Sequence, residues 1–84
     1  MIVVTTLKAV PGRYQEAIRQ IKNCKPPKGI VIHEFLAVLG DYDALIVFET
    51  PDEETASDFI MKFSENAVPT SYVGMPIEKL KWTK

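Results

Sequence analysis

Ile30-Val31-Ile32-His33-Glu34-Phe35-Leu36-Ala37-Val38-Leu39-Gly40-Asp41-Tyr42-Asp43-Ala44-Leu45-Ile46-Val47-Phe48-Glu49 is a pair of apolar runs parted by one glycine–aspartate step. Such a step between β-branched and aromatic runs signals a hairpin, because the first turn residue needs the positive φ that glycine adopts freely. The two strands are Ile30–Leu39 and Tyr42–Glu49. A two-residue turn pairs Leu39 with Tyr42, and each step outward keeps partners on one face. One face then carries Val31, His33, Phe35, Ala37, Leu39, Tyr42, Ala44, Ile46 and Phe48. The other carries Ile30, Ile32, Glu34, Leu36, Val38, Asp43, Leu45, Val47 and Glu49. An antiparallel sheet wetted on one side alternates cleanly between apolar and polar. Here both faces are apolar, so both need cover.

The rest of the chain supplies cover for one face. Ile2–Leu7 is rich in β-branched residues and ends at the turn Val10-Pro11-Gly12, which marks a strand. Tyr14, Ala17, Ile18 and Ile21 then fall at i, i+3, i+4 and i+7 with polar residues between them, an amphipathic helix stopped by Lys25-Pro26-Pro27-Lys28-Gly29. After the hairpin, Thr50-Pro51-Asp52-Glu53 reads as a capping box with proline at the first helical position. Ala56, Phe59, Ile60 and Phe63 repeat the helical spacing, and Asn66 is the expected stop. Val68 to Leu80 is expected to be extended, an edge strand bent at Pro69, Gly74 and Pro76. The order β-α-β-β-α-β predicts an α+β, ferredoxin-like domain over residues 1–84: a four-stranded antiparallel sheet with both helices on one face.

The second apolar face then calls for a partner. A chain of 84 residues has a marginal core, and its one cysteine, Cys24, allows no internal disulfide. Burying each aliphatic side chain of that face contributes roughly 1.5–3 kcal/mol. A homodimer or higher homo-oligomer packed sheet against sheet is therefore expected.

Composition narrows the function classes. Ten Lys and Arg stand against eleven Asp and Glu with no basic block, so no nucleic-acid partner is expected. The central strands also lack the aromatic and basic motif of RNA-binding ferredoxin-like folds. No apolar run approaches a membrane span and no leader signature precedes Ile2, so no membrane association is expected. With a lone thiol, this favours a cytoplasmic location. Nucleophile elbows, phosphate-binding glycine loops and zinc spacings do not occur in the sequence, so no metal and no cofactor is expected.

The stretch Leu39-Gly40-Asp41-Tyr42-Asp43-Ala44-Leu45-Ile46-Val47-Phe48-Glu49-Thr50-Pro51-Asp52 resembles the signature segment of the GYD-domain proteins. It is also similar to a segment of the effector-binding domain of the leucine-responsive regulatory family. Both belong to the dimeric α+β barrel group, so the resemblance implies sheet-to-sheet dimers and small-molecule binding near the Gly40–Asp43 hairpin. With no helix-turn-helix ahead of Ile2 in this sequence, a complete regulator of that kind is not expected. Ser71–Lys84, with Pro76 and Trp82, also runs longer than the regulators' pattern.

Four residues form the leading candidate site. Gly40, Asp41, Tyr42 and Asp43 offer polar groups for an amino-acid-like or other small polar ligand at a subunit interface. Turn chemistry alone also accounts for Gly40 and Asp41. Asp43 is expected to project toward the partner-covered face, for a ligand or for a Lys or Arg. Glu34 and Glu49 are a second candidate, an acidic pair set diagonally about 7–8 Å apart in that register. Two carboxylates in apolar surroundings drive one pKa up for acid–base work, whereas carboxylates at an open sheet end simply meet solvent or basic residues. His33, the only histidine, is expected opposite Phe48 on the helix-covered face with no acid in register. A role as base or haem ligand, as in some barrel-group monooxygenases, is thus disfavoured, and Cys24 has no CxxC partner. The best reading is an oligomeric small-molecule-binding or regulatory or interaction module, expected to lack its own DNA-binding domain, with no assigned catalytic residue. A small dimeric barrel enzyme and a purely structural assembly subunit are the alternatives.

Overall fold

The computed structural model describes residues 1–81; Trp82 and the two residues after it lie outside the described part. The elements follow the expected order: β1 (Ile2–Ala9), α1 (Tyr14–Lys22), β2 (Val31–Ala37), β3 (Ala44–Glu49), α2 (Glu53–Met61) and β4 (Ala67–Gly74). They form a four-stranded antiparallel sheet in the order β2-β3-β1-β4, the ferredoxin-like α+β arrangement. The two strands that open each half of the chain's second and first strand–helix units, β3 and β1, occupy the centre, so β2 and β4 are both edges.

The core lies on the face covered by α2. Val3, Thr5 and Leu7 of β1 and Ala44, Ile46 and Phe48 of β3 are buried there, while Ile2, Val4, Leu45 and Val47 between them are only half-buried. Phe59 is the hub. Its ring meets Phe48 edge-on at 5.2 Å between centroids and Phe63 at 5.5 Å, the geometry that aligns a ring edge with a neighbour's π face. The buried Thr5 hydroxyl is satisfied by Ser71 Oγ at 2.8 Å across the β1–β4 ladder.

Three local expectations need correction. First, α2 is capped by Asp52 rather than Thr50. Asp52 is extended, and its Oδ1 accepts the Thr55 N–H at 2.7 Å, so Pro51 precedes the cap instead of opening the helix. Thr50 donates its hydroxyl to the Asp52 carbonyl at 2.9 Å and braces the turn from outside. Secondly, the chain does not stay extended to Leu80. It leaves the sheet at Gly74 and closes a 3-10 turn at Ile77–Lys79 after Pro76, whose fixed φ starts the turn.

The third correction moves side chains between faces. Glu34 to Ala37 pair with Val47 to Ala44 in the expected register, but Ile32 pairs with Phe48 and Val31 with Glu49. His33 is an extra residue, a β-bulge, and beyond it every partner shifts by one. A one-residue slip exchanges the faces of a strand. Ile30 is therefore buried in the core and Ile32 packs against it, whereas Val31 is 53% exposed on the open face.

The Asp52 cap makes stability pH-dependent. The Thr55 N–H holds the Asp52 carboxyl below its ordinary value of 3.8. A depressed folded-state pKa stabilises above the unfolded value, and the contribution is lost as pH falls through the folded one. Asp52→Ala should lower the melting temperature at pH 7, and the difference from the wild type should shrink as melts are repeated below about pH 4. An unchanged gap at low pH would show that the charge plays no part.

Candidate functional site

The β2–β3 connection is longer than a two-residue turn, spanning Val38–Asp43. Val38 still donates its N–H to the Asp43 carbonyl at 3.1 Å, so the expected register holds into the connection. Gly40 has φ +147°, a backbone setting that glycine alone adopts without strain, with open space where a side chain would stand. Substitution there is opposed by the backbone and not by crowding.

Asp43 ties the hairpin to the end of β1. Its N–H donates to the Leu7 carbonyl at 2.9 Å, and its Oδ2 accepts the Ala9 N–H at 2.8 Å. Lys8 Nζ reaches the Asp41 carbonyl at 3.1 Å. Nothing in the hairpin sequence announced this clasp; its signal is the Lys8-Ala9-Val10 segment, where β1 leaves the sheet and its last N–H groups need acceptors. The carboxylate expected to point at a ligand thus has one oxygen engaged within the chain. The tip beyond it is open: Leu39 is fully exposed, and Gly40, Asp41 and Tyr42 are exposed with it. Among the described residues, the cavities beside α1 and between α2 and β4 have none of Gly40, Asp41, Tyr42 or Asp43 in their lining.

The bulge rearranges the second candidate. Glu49 was expected beside Ile32 with Glu34 on the diagonal; it stands opposite Val31 instead, and the diagonal position belongs to His33. His33 Nε2 lies 3.4 Å from Glu49 Oε1, with the two side chains 47% and 49% exposed. This overturns the expectation that His33 faces the helices without an acid in register. The bulge turns it to the open face beside a carboxylate, and Glu34 remains exposed opposite Val47. A half-exposed pair of this kind contributes roughly 0.2–1 kcal/mol, too little to explain the bulge by stability alone.

Cys24 is partly buried just past the C-terminal end of α1. Burial pushes its thiol pKa up, against a smaller lowering by Lys62. Among the described residues no three His, Cys, Asp or Glu side chains are grouped to hold a metal ion. No helix among them is long and apolar enough to cross a membrane.

The sheet face away from the helices carries a continuous set of apolar side chains. Ile2, Val4, Leu45 and Val47 form its half-buried centre, with exposed Val31 and Leu36 on β2 and Val68 and Tyr72 on β4. Its membership differs from the expected set, because the bulge withdraws Ile30 and Ile32, yet it stays apolar.

The family model described as the GYD domain matches residues 3–73. Among solved structures, LrpC of B. subtilis is similar with a TM-score of 0.71 at 15% identity, covering 94% of this chain and 54% of LrpC. MtbAldR is similar with a TM-score of 0.58 at 13% identity, covering 94% of this chain and 55% of that one. The chain spans about half the length of either protein. At these identities the likeness concerns the fold. No curated relative matches the sequence.

Proposed function

The chain belongs to the GYD domain family, and from that premise we propose that it is an oligomeric module that binds a small polar ligand at a subunit interface beside the hairpin. One observation carries the reading: the open face is apolar across all four strands while both helices lie on the other side. Monomers rarely leave such a patch in water. Packing two copies face to face covers it, and the exposed Leu39 and Tyr42 at the hairpin tip then lie at the rim of the contact. Apolar walls joined to a few fixed polar groups are what small-ligand pockets require. The fold similarity to LrpC supports the reading, as does the resemblance of residues 39–52 to effector-binding domains.

Asp43 gives the test. Asp43→Asn retains an oxygen acceptor for the Ala9 N–H and removes the charge, whereas Asp43→Ala also breaks the clasp at a cost of about 1–2 kcal/mol. A thermal-shift screen against the twenty amino acids should find a stabilising ligand for the wild type. The shift should fall in Asp43→Asn, whose unliganded melting temperature stays near that of the wild type. A ligand that stabilises both proteins equally would remove Asp43 from the site.

A small barrel enzyme is the second reading, favoured by the His33–Glu49 pair, in which a carboxylate orients an imidazole. It requires that His33→Ala, still folded and oligomeric, lose turnover of whatever substrate is found.

A further inference from the structure

The two helices do not cover the sheet equally. α2 and the turn that follows it drive Phe59, Ile60 and Phe63 into the core, but Ile18 and Ile21 of α1 are only half-buried. Beneath α1, beside the edge strand β2, lies a cavity of about 410 Å³. Its walls are Ile18, Ile21 and Phe35, and its floor is the pair Ala37–Ala44, two small side chains opposite each other on the helix side. Ala37 is exposed even though it stands on the covered face, because nothing fills the space above it. Lys22 is the one charged residue that lines it, and Lys22 makes no ion pair among the described residues. Cys24 lines it too.

We infer that this cavity is a binding site for a small amphiphilic anion, a carboxylate with a short apolar tail. The tail would lie against Ile18, Ile21 and Phe35 over the alanine floor, and the head would meet the Lys22 ammonium at the mouth. Three physical points support this. The volume falls within the roughly 300–1,000 Å³ of small-molecule pockets. The groove opens to solvent beside exposed Lys22 and Ala37, so its apolar walls are wetted, and an apolar occupant takes that area out of water. A cation that makes no ion pair among the described residues favours a charge-assisted hydrogen bond to an anion over a neutral group. The site lies within one chain and does not depend on the hairpin reading.

The single cysteine makes the test direct. The Cys24 thiol of the intact protein is alkylated with iodoacetamide at mildly alkaline pH while octanoate or octanol is titrated. Octanoate should protect Cys24 saturably, and octanol should protect it more weakly. Lys22→Gln should weaken octanoate by about tenfold without changing octanol, the size expected for one charged hydrogen bond. Ala37→Leu, which fills the floor, should abolish protection in a protein whose circular dichroism is unchanged. Failure of millimolar octanoate to protect would overturn the inference. So would equal protection by octanol, or protection that survives in Ala37→Leu. If Ala37→Leu does not fold, the Lys22→Gln comparison decides by itself.

Discussion

Leu36→Asp is expected to convert the proposed assembly into monomers while leaving the chain folded. Leu36 is 46% exposed in the single chain and stands opposite Leu45 on the open sheet face, so a carboxylate there meets water in the monomer. In a face-to-face dimer the same carboxylate is buried without a partner, a cost of about 3–5 kcal/mol. That weakens association by two to four orders of magnitude, since each 1.4 kcal/mol is about tenfold. Sedimentation velocity across a concentration series would show the change, with circular dichroism as the control for folding. Leu36→Met, close in volume and equally apolar, should leave association intact. A variant that sediments like the wild type would place the contact on another surface.

Phe59→Ala should unfold the protein outright or leave it barely stable at 25 °C. Phe59 is fully buried and holds edge-to-face contacts with both Phe48 and Phe63. Truncating a buried phenylalanine costs about 3–5 kcal/mol through lost transfer energy and the cavity left behind. A domain of this length has a total stability of only roughly 4–13 kcal/mol. Phe35→Ala should cost less, because Phe35 is partly exposed and its one ring–ring contact among the described residues is with Phe63, at 6.3 Å. Chemical denaturation of the two variants ranks them. Equal losses would mean that the core does not centre on Phe59.

The element order was legible because each segment carries its own signal. The periods of Tyr14–Ile21 and Ala56–Phe63 are helical, and Pro11, Pro26, Pro27 and Pro51 mark where the chain turns. The register of Glu34–Ala37 against Ala44–Val47 was equally legible, since an even-length connection preserves the faces whatever its size. The bulge was missed because strict alternation was carried through Ile30–Phe35. Its signal was present in His33-Glu34, two successive polar residues inside an apolar strand. Alternation forces one of them toward the helices, whereas a bulge turns both to the open face and returns Ile30 and Ile32 to the core. The Asp52 cap is hidden because Thr50-Pro51 satisfies a helix-start pattern two residues too early. At the candidate site, the Gly40 backbone was readable from residue type. The Asp43–Ala9 clasp was not, since it joins residues 34 apart in sequence and depends on how β1 leaves the sheet.

In the proposed assembly, two copies of this chain cover each other's open sheet face. A native mass spectrum of freshly purified protein at micromolar concentration tests it most directly, because it reports subunit number and any retained small molecule together. A dimer or a higher oligomer built from dimers is the expected result. A folded monomer as the dominant species would contradict it, since Val4, Leu45 and Val47 would then face water with nothing to cover them.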